Sequence, residues 1–272
     1  MKNIVRPGMV RLCSSWSDRP GLTMLLKYGE YNFISKWLVY KGKKEPLIKV
    51  GKTNIFSIIT NYISYIYKMN FTSQNVYHIY SQGNNKQPIF LYEEDYLIFL
   101  RMMRKCISPH SEVIGYCLMP NHFHFLIYTD DRVNTVVKQG GLLIDPMTNG
   151  IRKLLSGYAR IFNKQYRKTG SLFRQKTKYT CLSDISISRR STYVLQDYYF
   201  NCFHYIHQNP YRAGLVKKLE DWKFSSYKDY AQLRKGTLCN KDLAVKFCSY
   251  DPGSFIKTSY DIIPNDFTDE FL

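Results

Sequence analysis

Apolar and polar positions alternate along the chain in two places where strands are expected. Residues 75–82 predict a first strand, and residues 114–128 predict a strand that carries polar side chains among aromatic and aliphatic ones. Helices are predicted in four segments, residues 93–106, 133–139, 151–167 and 194–208. Strands and helices follow one another without repeated strand-helix-strand units, which favours an α+β fold over a doubly wound sheet.

Two histidines, His122 and His124, lie close together in the segment 114–128. Because side chains alternate across a strand, both imidazoles are expected on one face and Phe123 and Phe125 on the other. Two imidazoles backed by an apolar face can hold a divalent cation at a rigid, exposed position. Taken alone, such a pair is more often a set of surface or cross-strand residues than a pair of metal ligands.

A second segment, residues 198–216, adds a phenol and an amide. It predicts a helix that ends near Asn209 and Pro210, because proline disfavours a helical conformation in the preceding residue. A proline that starts a further helical turn is the alternative. Tyr205 and Asn209 are four residues apart, so they share one face of this helix.

Together, His122, His124, Asn209 and Tyr205 are typical of metal-assisted attack on phosphate. Two imidazoles and an amide oxygen can seat Mg²⁺ or Mn²⁺ and leave positions open for phosphate oxygens and water. The cation polarises the phosphate, and the tyrosine attacks phosphorus. A phenol has a reference pKa of about 10, so it needs such assistance. A phosphotyrosine intermediate conserves the energy of the broken phosphodiester and allows strand rejoining.

Four motifs occur in the order and at about the spacing found in HUH single-tyrosine transposases: Met-Pro-Asn-His-Phe-His at 119–124, Gly-Ser-Leu-Phe-Arg at 170–174, Tyr-Ile-His-Gln-Asn-Pro-Tyr-Arg-Ala-Gly-Leu-Val at 205–216 and Trp-Lys-Phe-Ser-Ser-Tyr at 222–227. Over residues 76–230 the chain most resembles the REP-associated tyrosine transposase branch, whose catalytic helix carries a Tyr-Ile-x-x-Asn-Pro pattern. The resemblance implies that His122 and His124 bind the metal, that Tyr205 is the nucleophile and that Asn209 is the third ligand. The broader insertion-sequence family has glutamine at this last position.

The same resemblance implies a fold and a reaction. The fold is a ferredoxin/RRM-like central antiparallel sheet that carries the histidine pair, with helices on one side. The enzymes of this family act on single-stranded DNA with imperfect hairpins, cleave beside them, stay attached to the 5′ phosphate through tyrosine and release a 3′ hydroxyl. A monomer is favoured, as in the REP-associated branch, over the dimer of the insertion-sequence relatives.

Composition agrees with a nucleic-acid partner. The 39 basic and 21 acidic residues give a net charge of +18, which attracts polyanions. Basic residues interleaved with aromatic ones crowd between the histidine segment and the tyrosine helix, as expected of a groove for single-stranded DNA. Tyr158 and Phe162, at helical spacing, are favoured as core. The predicted DNA-binding residues are Arg174, Lys176, Lys178, Arg167 and Arg212.

The rest of the chain carries less information. Residues 1–70 and 231–272 are predicted to be extensions of the domain at 71–230. The apolar stretch at 55–67 is interrupted by polar residues and too short to span a bilayer, and no secretory signal is evident, so a cytoplasmic protein without a membrane partner is predicted. We also hypothesise that translation starts at Met69; peptides from before Lys68 in the protein made from its native locus would contradict this.

The seven cysteines form no zinc-finger spacing and are predicted to be reduced thiols. No glycine-rich phosphate-binding loop occurs, so no nucleoside triphosphate requirement is predicted. His78 is expected to be a packed or hydrogen-bonded sheet residue, and no role is predicted for His204 or His207. Two alternatives remain open beside the transposase: a non-catalytic hairpin-binding regulator, and an initiator of replication or plasmid transfer that uses the same histidine-pair chemistry.

Overall fold

A computed structural model describes residues 37–40, 43–46, 71–139, 142–184, 195–261 and 263. The strands are β1 (Trp37–Tyr40), β2 (Lys43–Pro46), β3 (Asn75–Gln82), β4 (Glu112–Met119), β5 (His122–Thr129), β6 (Val137–Gln139), β7 (Leu142–Ile144) and β8 (Lys178–Cys181). The helices are α1 (Glu93–Cys106), α2 (Pro146–Gln165), α3 (Leu195–Arg212), α4 (Tyr227–Tyr230), α5 (Lys241–Cys248) and α6 (Phe255–Thr258). The predicted strand at 75–82 and helix at 93–106 are confirmed with their bounds.

A four-stranded antiparallel sheet in the order β4-β5-β3-β8 forms the centre of the unit that spans Tyr62–Leu272. The α+β class predicted from the sequence is thus confirmed. β1 and β2 pair with each other in the unit Met1–Asn61, and β6 pairs with β7. The hypothesis about Met69 concerns a position outside the described residues.

The single strand predicted at 114–128 is a hairpin of β4 and β5, so that prediction was wrong in detail. Pro120 and Asn121 form the turn, and both are residue types that favour turns. As a result the histidines lie at the beginning of β5, where this strand leaves the turn.

Helices pack on both faces of the sheet, not on one side as the family resemblance implied. On one face Phe123 and Phe125 lie in a hydrophobic cluster with buried residues of α1 and α2, including Phe99 and Tyr158. On the opposite face Leu126 lies in a second cluster together with buried residues of α3. The face that carries His122 and His124 is therefore the face that α3 covers.

The helix predicted at 133–139 is wrong. The chain forms a short 3-10 helix at Asp131–Asn134 and then the strand β6. The Asp130 side chain accepts a hydrogen bond from the backbone N–H of Arg132 and so caps a single turn. The β-branched residues Thr135, Val136 and Val137 follow, and such residues favour extended conformations.

The predicted end of the tyrosine helix near Asn209 is wrong, and the alternative of a further helical turn at the proline is confirmed, because α3 continues through Pro210 to Arg212. The backbone N–H groups of Ala213 and Leu215 donate to the carbonyls of Asn209 and Pro210. Gly214, with φ +69°, supplies the left-handed conformation that commonly ends a helix. Pro210 has no N–H to donate to the carbonyl of Ile206, so α3 continues there with one backbone hydrogen bond fewer.

The segment after α4 packs against α3. Ala244, Cys248 and Phe255 are buried in the cluster that contains Phe203 of α3. Gln208 donates its side-chain amide to the carbonyls at the end of α6, at 3.0 Å from Ser259 O and 2.8 Å from Asp261 O. The C-terminal residues therefore help to hold α3 in place. Of the helices described, none is sufficiently long and apolar to cross a membrane.

Candidate functional site

His122 and His124 lie in the first three residues of β5, next to the hairpin turn. Their side chains point towards α3. His122 is partly buried, and its Nδ1 lies 2.7 Å from Oδ1 of Asn121 in the preceding turn. An amide oxygen can only accept, so Nδ1 of His122 carries the proton and Nε2 keeps its lone pair. The hairpin turn thus fixes both the ring orientation and the tautomer of His122.

His124 is fully buried and contacts a third histidine. Its Nδ1 lies 2.9 Å from Nε2 of His78 on β3, and the two ring planes are within 7° of parallel. The other nitrogen of His124, Nε2, is buried without a hydrogen-bond partner. A buried polar atom without a partner is rare, and it often marks the place of an ion or water.

Tyr205 and Asn209 approach the histidines from α3. The rings of Tyr205 and His124 lie edge to face with centroids 5.6 Å apart. The Asn209 side chain donates to the Tyr205 carbonyl oxygen at 3.1 Å, and it lies close enough to the Tyr205 hydroxyl and the His122 ring to shift the pKa of both. All four residues predicted for the site from the sequence are therefore brought together at the junction of β5 and α3.

Burial sets the protonation state of these groups. It lowers the pKa of His122 to about 4, although the hydrogen bond with Asn209 raises it, and it holds the pKa of His124 well below the usual value. Both imidazoles are therefore neutral at pH 7 and can act as ligands. Burial raises the pKa of Tyr205 to about 12, while the Asn209 hydrogen bond and the charge of Arg212 lower it. The resting phenol is thus protonated.

The donor set fits a divalent cation. Two neutral imidazole nitrogens and an amide oxygen converge, and the unpartnered Nε2 of His124 is the kind of group that a cation would satisfy. Within the described ranges no three His, Cys, Asp or Glu side chains are grouped to hold a metal. A metal at this junction would consequently depend on Asn209 as the third protein ligand.

Tyr80 is a site residue that the sequence analysis missed. It lies opposite His124 in the pairing of β3 with β5, and its ring stacks on that of His124 at 5.0 Å between centroids. Nζ of Lys178 lies 5.8 Å from the centroid of the Tyr80 ring, and the charge of Arg174 acts on the Tyr80 hydroxyl. The signal in the sequence is the alternation that places Tyr80 and His78 on one face of β3.

The predicted DNA-binding residues divide into two groups. Arg174, Lys178 and Arg212 are exposed and lie beside the site, the first two next to Tyr80 and the last near Tyr205. Lys176 and Arg167 are also exposed, but they are not among the charges that act on Tyr80 or Tyr205 in the described part of the chain. The structure therefore brings three of these five residues to the site.

His204 and His207 are buried against the C-terminal segment and do not face the site. Nδ1 of His204 lies 3.2 Å from Oγ of Ser259, and Nε2 of His207 lies 2.7 Å from Oγ of Ser226. Both histidines therefore anchor α3.

Comparison with known proteins confirms the resemblance that the motifs indicate. No family model matches the chain. It is similar to a curated protein of Haemophilus influenzae described as "Putative REP-associated tyrosine transposase", with 25% identity over 168 residues that cover 59% of this chain and 84% of that protein. A solved structure titled as a REP-associated tyrosine transposase bound to a REP hairpin also aligns. That alignment has a TM-score of 0.41 and 15% identity, and it covers 64% of this chain and 93% of the other.

Proposed function

We propose that this chain is a metal-dependent transposase that cleaves single-stranded DNA beside hairpins and joins strands through Tyr205. The observation that carries the proposal is the convergence of His122, His124, Tyr205 and Asn209 from two separate elements. A buried phenol, two neutral imidazoles and an amide meet there. The similarity to the Haemophilus influenzae protein supports the same class of reaction.

The protein residues supply a cation site and position the nucleophile. Nε2 of His122, Nε2 of His124 and the side-chain oxygen of Asn209 would hold Mg²⁺ or Mn²⁺. When bound, such a cation polarises the scissile phosphate. The amide of Asn209 lowers the pKa of the Tyr205 hydroxyl and so couples the nucleophile to the ligand set. Since the phenol pKa is raised to about 12, positive charge at the site is needed for the phenolate to form.

The chemical step exchanges one phosphodiester for another. A bond forms from Oη of Tyr205 to phosphorus, and the bond from phosphorus to the 3′ oxygen of the upstream nucleotide breaks. The phenol loses its proton and the departing 3′ oxygen gains one, so no proton is consumed overall. The downstream strand stays on Tyr205 through its 5′ phosphate, and attack by a 3′ hydroxyl of another strand reverses the step.

The surroundings of the site suit a single DNA strand. Lys178 and Arg174 flank Tyr80, and Arg212 lies near Tyr205, so cations occupy both sides of the proposed phosphate position. Backbone phosphates bind to such cations, and unstacked bases pack on aromatic rings. The family resemblance points to hairpin-bearing DNA as the substrate, and a single chain carries all four proposed site residues, which supports a monomer.

The decisive experiment tests for a covalent adduct. Labelled single-stranded hairpin DNA from the flanks of the gene is incubated with the protein in Mn²⁺ or in EDTA and resolved on a denaturing gel. We expect a protease-sensitive adduct in Mn²⁺ and no adduct in EDTA. Tyr205→Phe should bind the DNA as the wild type does but form no adduct, and His122→Ala should lose cleavage while it retains the fold.

A matched control is available on the same helix. Tyr211 is 45% exposed on α3, so Tyr211→Phe removes a phenol without touching the site and should leave the adduct intact. An adduct that persists in Tyr205→Phe, or that forms in EDTA, would contradict the proposed mechanism.

A second candidate function is a hairpin-binding regulator without catalysis. One observation favours it: the Tyr205 side chain is only 3% exposed and its pKa is about 12, so the phenol is shielded and protonated in the DNA-free protein. Binding to several flanking hairpins without an adduct in any metal would support this function over the transposase.

A further inference from the structure

His78 lies on β3, beside the strand that carries the predicted ligands. Its side chain is on the same sheet face as Tyr80 and His124, and it is 2% exposed. Nε2 of His78 is 2.9 Å from Nδ1 of His124, with ring planes within 7°. The His78 ring also meets the Tyr205 ring edge to face, at 6.4 Å between centroids. His78 thus contacts both a predicted ligand and the predicted nucleophile without itself reaching the open side of the site.

The hydrogen bond between the two rings has only two possible directions. Both rings are buried and neutral, and a neutral imidazole has one N–H donor and one acceptor nitrogen. If Nδ1 of His124 donates to His78, then Nε2 of His124 carries a lone pair that points into the site. If Nε2 of His78 donates instead, the proton of His124 lies on its Nε2, and this atom cannot bind a cation.

We propose that His78 is a positioning residue that accepts the Nδ1 proton of His124 and so holds Nε2 of His124 in the form that binds metal. This inference rests on the proposed function, because it assigns a purpose to the unpartnered Nε2 of His124. Metal-binding histidines generally donate their second ring nitrogen to a fixed acceptor, which sets the tautomer and the ring orientation. Here that acceptor is another imidazole.

The same logic applies to the other predicted ligand. Asn121 accepts the Nδ1 proton of His122 through its amide oxygen. Both supporting groups, Asn121 and His78, are therefore neutral, whereas a carboxylate is a frequent supporting group elsewhere. A neutral acceptor adds no negative charge behind the ligand, so the full charge of a bound cation is available to the phosphate of the DNA strand.

Nuclear magnetic resonance of the metal-free protein tests the tautomer directly. With ¹⁵N in the histidine rings, long-range proton–nitrogen correlations separate protonated from unprotonated ring nitrogens, and signals lost in His124→Asn identify His124 among the six histidines. We expect Nδ1 of His124 to be protonated and Nε2 to be unprotonated. A proton on Nε2 of His124 in the wild-type protein would overturn the inference.

Substitutions of His78 separate positioning from packing. Gln at this position keeps an acceptor oxygen, while Phe keeps a flat ring without an acceptor. His78→Phe should lose the fixed tautomer and weaken Mn²⁺ binding about 10- to 100-fold in calorimetric titration. His78→Gln should retain the tautomer and stay within about threefold of the wild-type affinity on the same grounds. Unchanged tautomer and affinity in His78→Phe would refute the inference.

His204→Gln is the matched control, because His204 is a similarly buried histidine, 3% exposed, that bonds Ser259 on the other side of α3. It should change neither the His124 tautomer nor Mn²⁺ affinity. The design also separates the two proposals. A wild-type protein that binds no Mn²⁺ would contradict the proposed function, while the metal-free spectrum would still decide whether His78 sets the tautomer of His124.

Discussion

Asn209 lies on α3 at the point where this helix meets β5. Its side chain donates to the carbonyl oxygen of Tyr205 on α3, and it raises the pKa of His122 on β5 and lowers the pKa of the Tyr205 hydroxyl. Substitutions that change the oxygen and the nitrogen of this amide separately are therefore informative.

We predict that Asn209→Leu weakens Mn²⁺ binding and slows adduct formation at least about tenfold, because the ligand oxygen and the group that lowers the pKa of Tyr205 are both lost. Asn209→Asp keeps ligand oxygens and should bind Mn²⁺ at least as tightly as the wild type. Its negative charge raises the pKa of Tyr205 further, so its cleavage optimum should move to higher pH. Calorimetric titration and a pH–rate profile measure the two effects. Equal activity of Asn209→Leu and wild type would exclude Asn209 from the site.

A second prediction at the residue scale concerns acid stability. Burial lowers the pKa of His204 from 6.5 to about 4, so the unfolded chain binds a proton in a pH range where the folded chain does not. The stabilisation is therefore complete above pH 6.5 and is lost as the pH falls towards 4. At roughly 1.4 kcal/mol per pKa unit, about 2 kcal/mol of the unfolding free energy should disappear between pH 7 and 5 through this residue.

Urea denaturation in EDTA at pH 7 and pH 5 measures this loss. His204→Gln should show a smaller difference between the two pH values than the wild type, by about the same 2 kcal/mol. If the unfolding free energy falls by the same amount between pH 7 and pH 5 in both proteins, His204 does not take up the proton.

At the scale of elements, Ser226 connects α3 to the sheet. Its side-chain oxygen accepts from the backbone N–H of Tyr116 on β4 at 2.9 Å and lies 2.7 Å from Nε2 of His207 on α3. Ser226 is fully buried, so each partner loses its bond without access to water if the hydroxyl is removed. The position of α3, and with it that of Tyr205, depends on this contact.

We predict that Ser226→Ala destabilises the fold by about 1–3 kcal/mol, because it leaves buried polar groups unsatisfied. It should also slow adduct formation, since α3 loses a fixed contact with β4. Ser225→Ala is the control: Ser225 is equally buried, but among the described residues its hydroxyl accepts from the nearby N–H of Tyr227 alone. Urea denaturation and adduct kinetics compare the pair. A cleavage rate in Ser226→Ala equal to that in Ser225→Ala would show that the contact does not position Tyr205.

The spacing of residues along the chain predicted which side chains share one face of a strand or a helix. Period-two alternation and four-residue spacing placed the histidine pair and the tyrosine–asparagine pair on the correct faces. The neighbours Tyr80 and His78 depend on the register of β3 with β5, where Tyr80 lies opposite His124, and this pairing is not encoded by spacing along one chain. The roles of all these residues stay predictions until they are measured.

The two wrong helix predictions have different physical causes. At 133–139 a one-turn cap by Asp130 resembles a helix start, yet the β-branched residues that follow prefer a strand. At Pro210 the local rule indicates a helix end, but contacts of α3 with the C-terminal segment, such as Gln208 with Ser259, stabilise another turn. Local propensity decided the first case, and tertiary contacts decided the second.

At the scale of the whole molecule, the net charge of +18 predicts DNA binding that weakens with salt. The slope of the logarithm of the binding constant against the logarithm of the salt concentration counts the phosphates that are neutralised. Arg174→Ala and Lys178→Ala should each reduce this slope by about 0.7–1, because each removes one cation beside the site.

Fluorescence anisotropy with a labelled hairpin over a range of KCl concentrations gives these slopes. Lys105→Ala is the control, since Lys105 is an exposed cation in the last turn of α1, on the other side of the sheet. An equal decrease of the slope in Lys105→Ala would mean that the DNA responds to the total charge of the protein and is not bound in a defined groove.

The strand β4 lies at one edge of the sheet, and the C-terminal part of the chain already pairs with it. The N–H of Leu118 donates to Phe224 O at 2.9 Å, the N–H of Ser226 donates to Tyr116 O at 2.9 Å, and the N–H of Asn240 donates to Val113 O at 2.7 Å. Edge strands with free backbone groups invite pairing with another chain. A chain shortened before residue 224 should therefore precipitate or form fibrils when overproduced, so the residues that follow are needed for solubility as well as for shape.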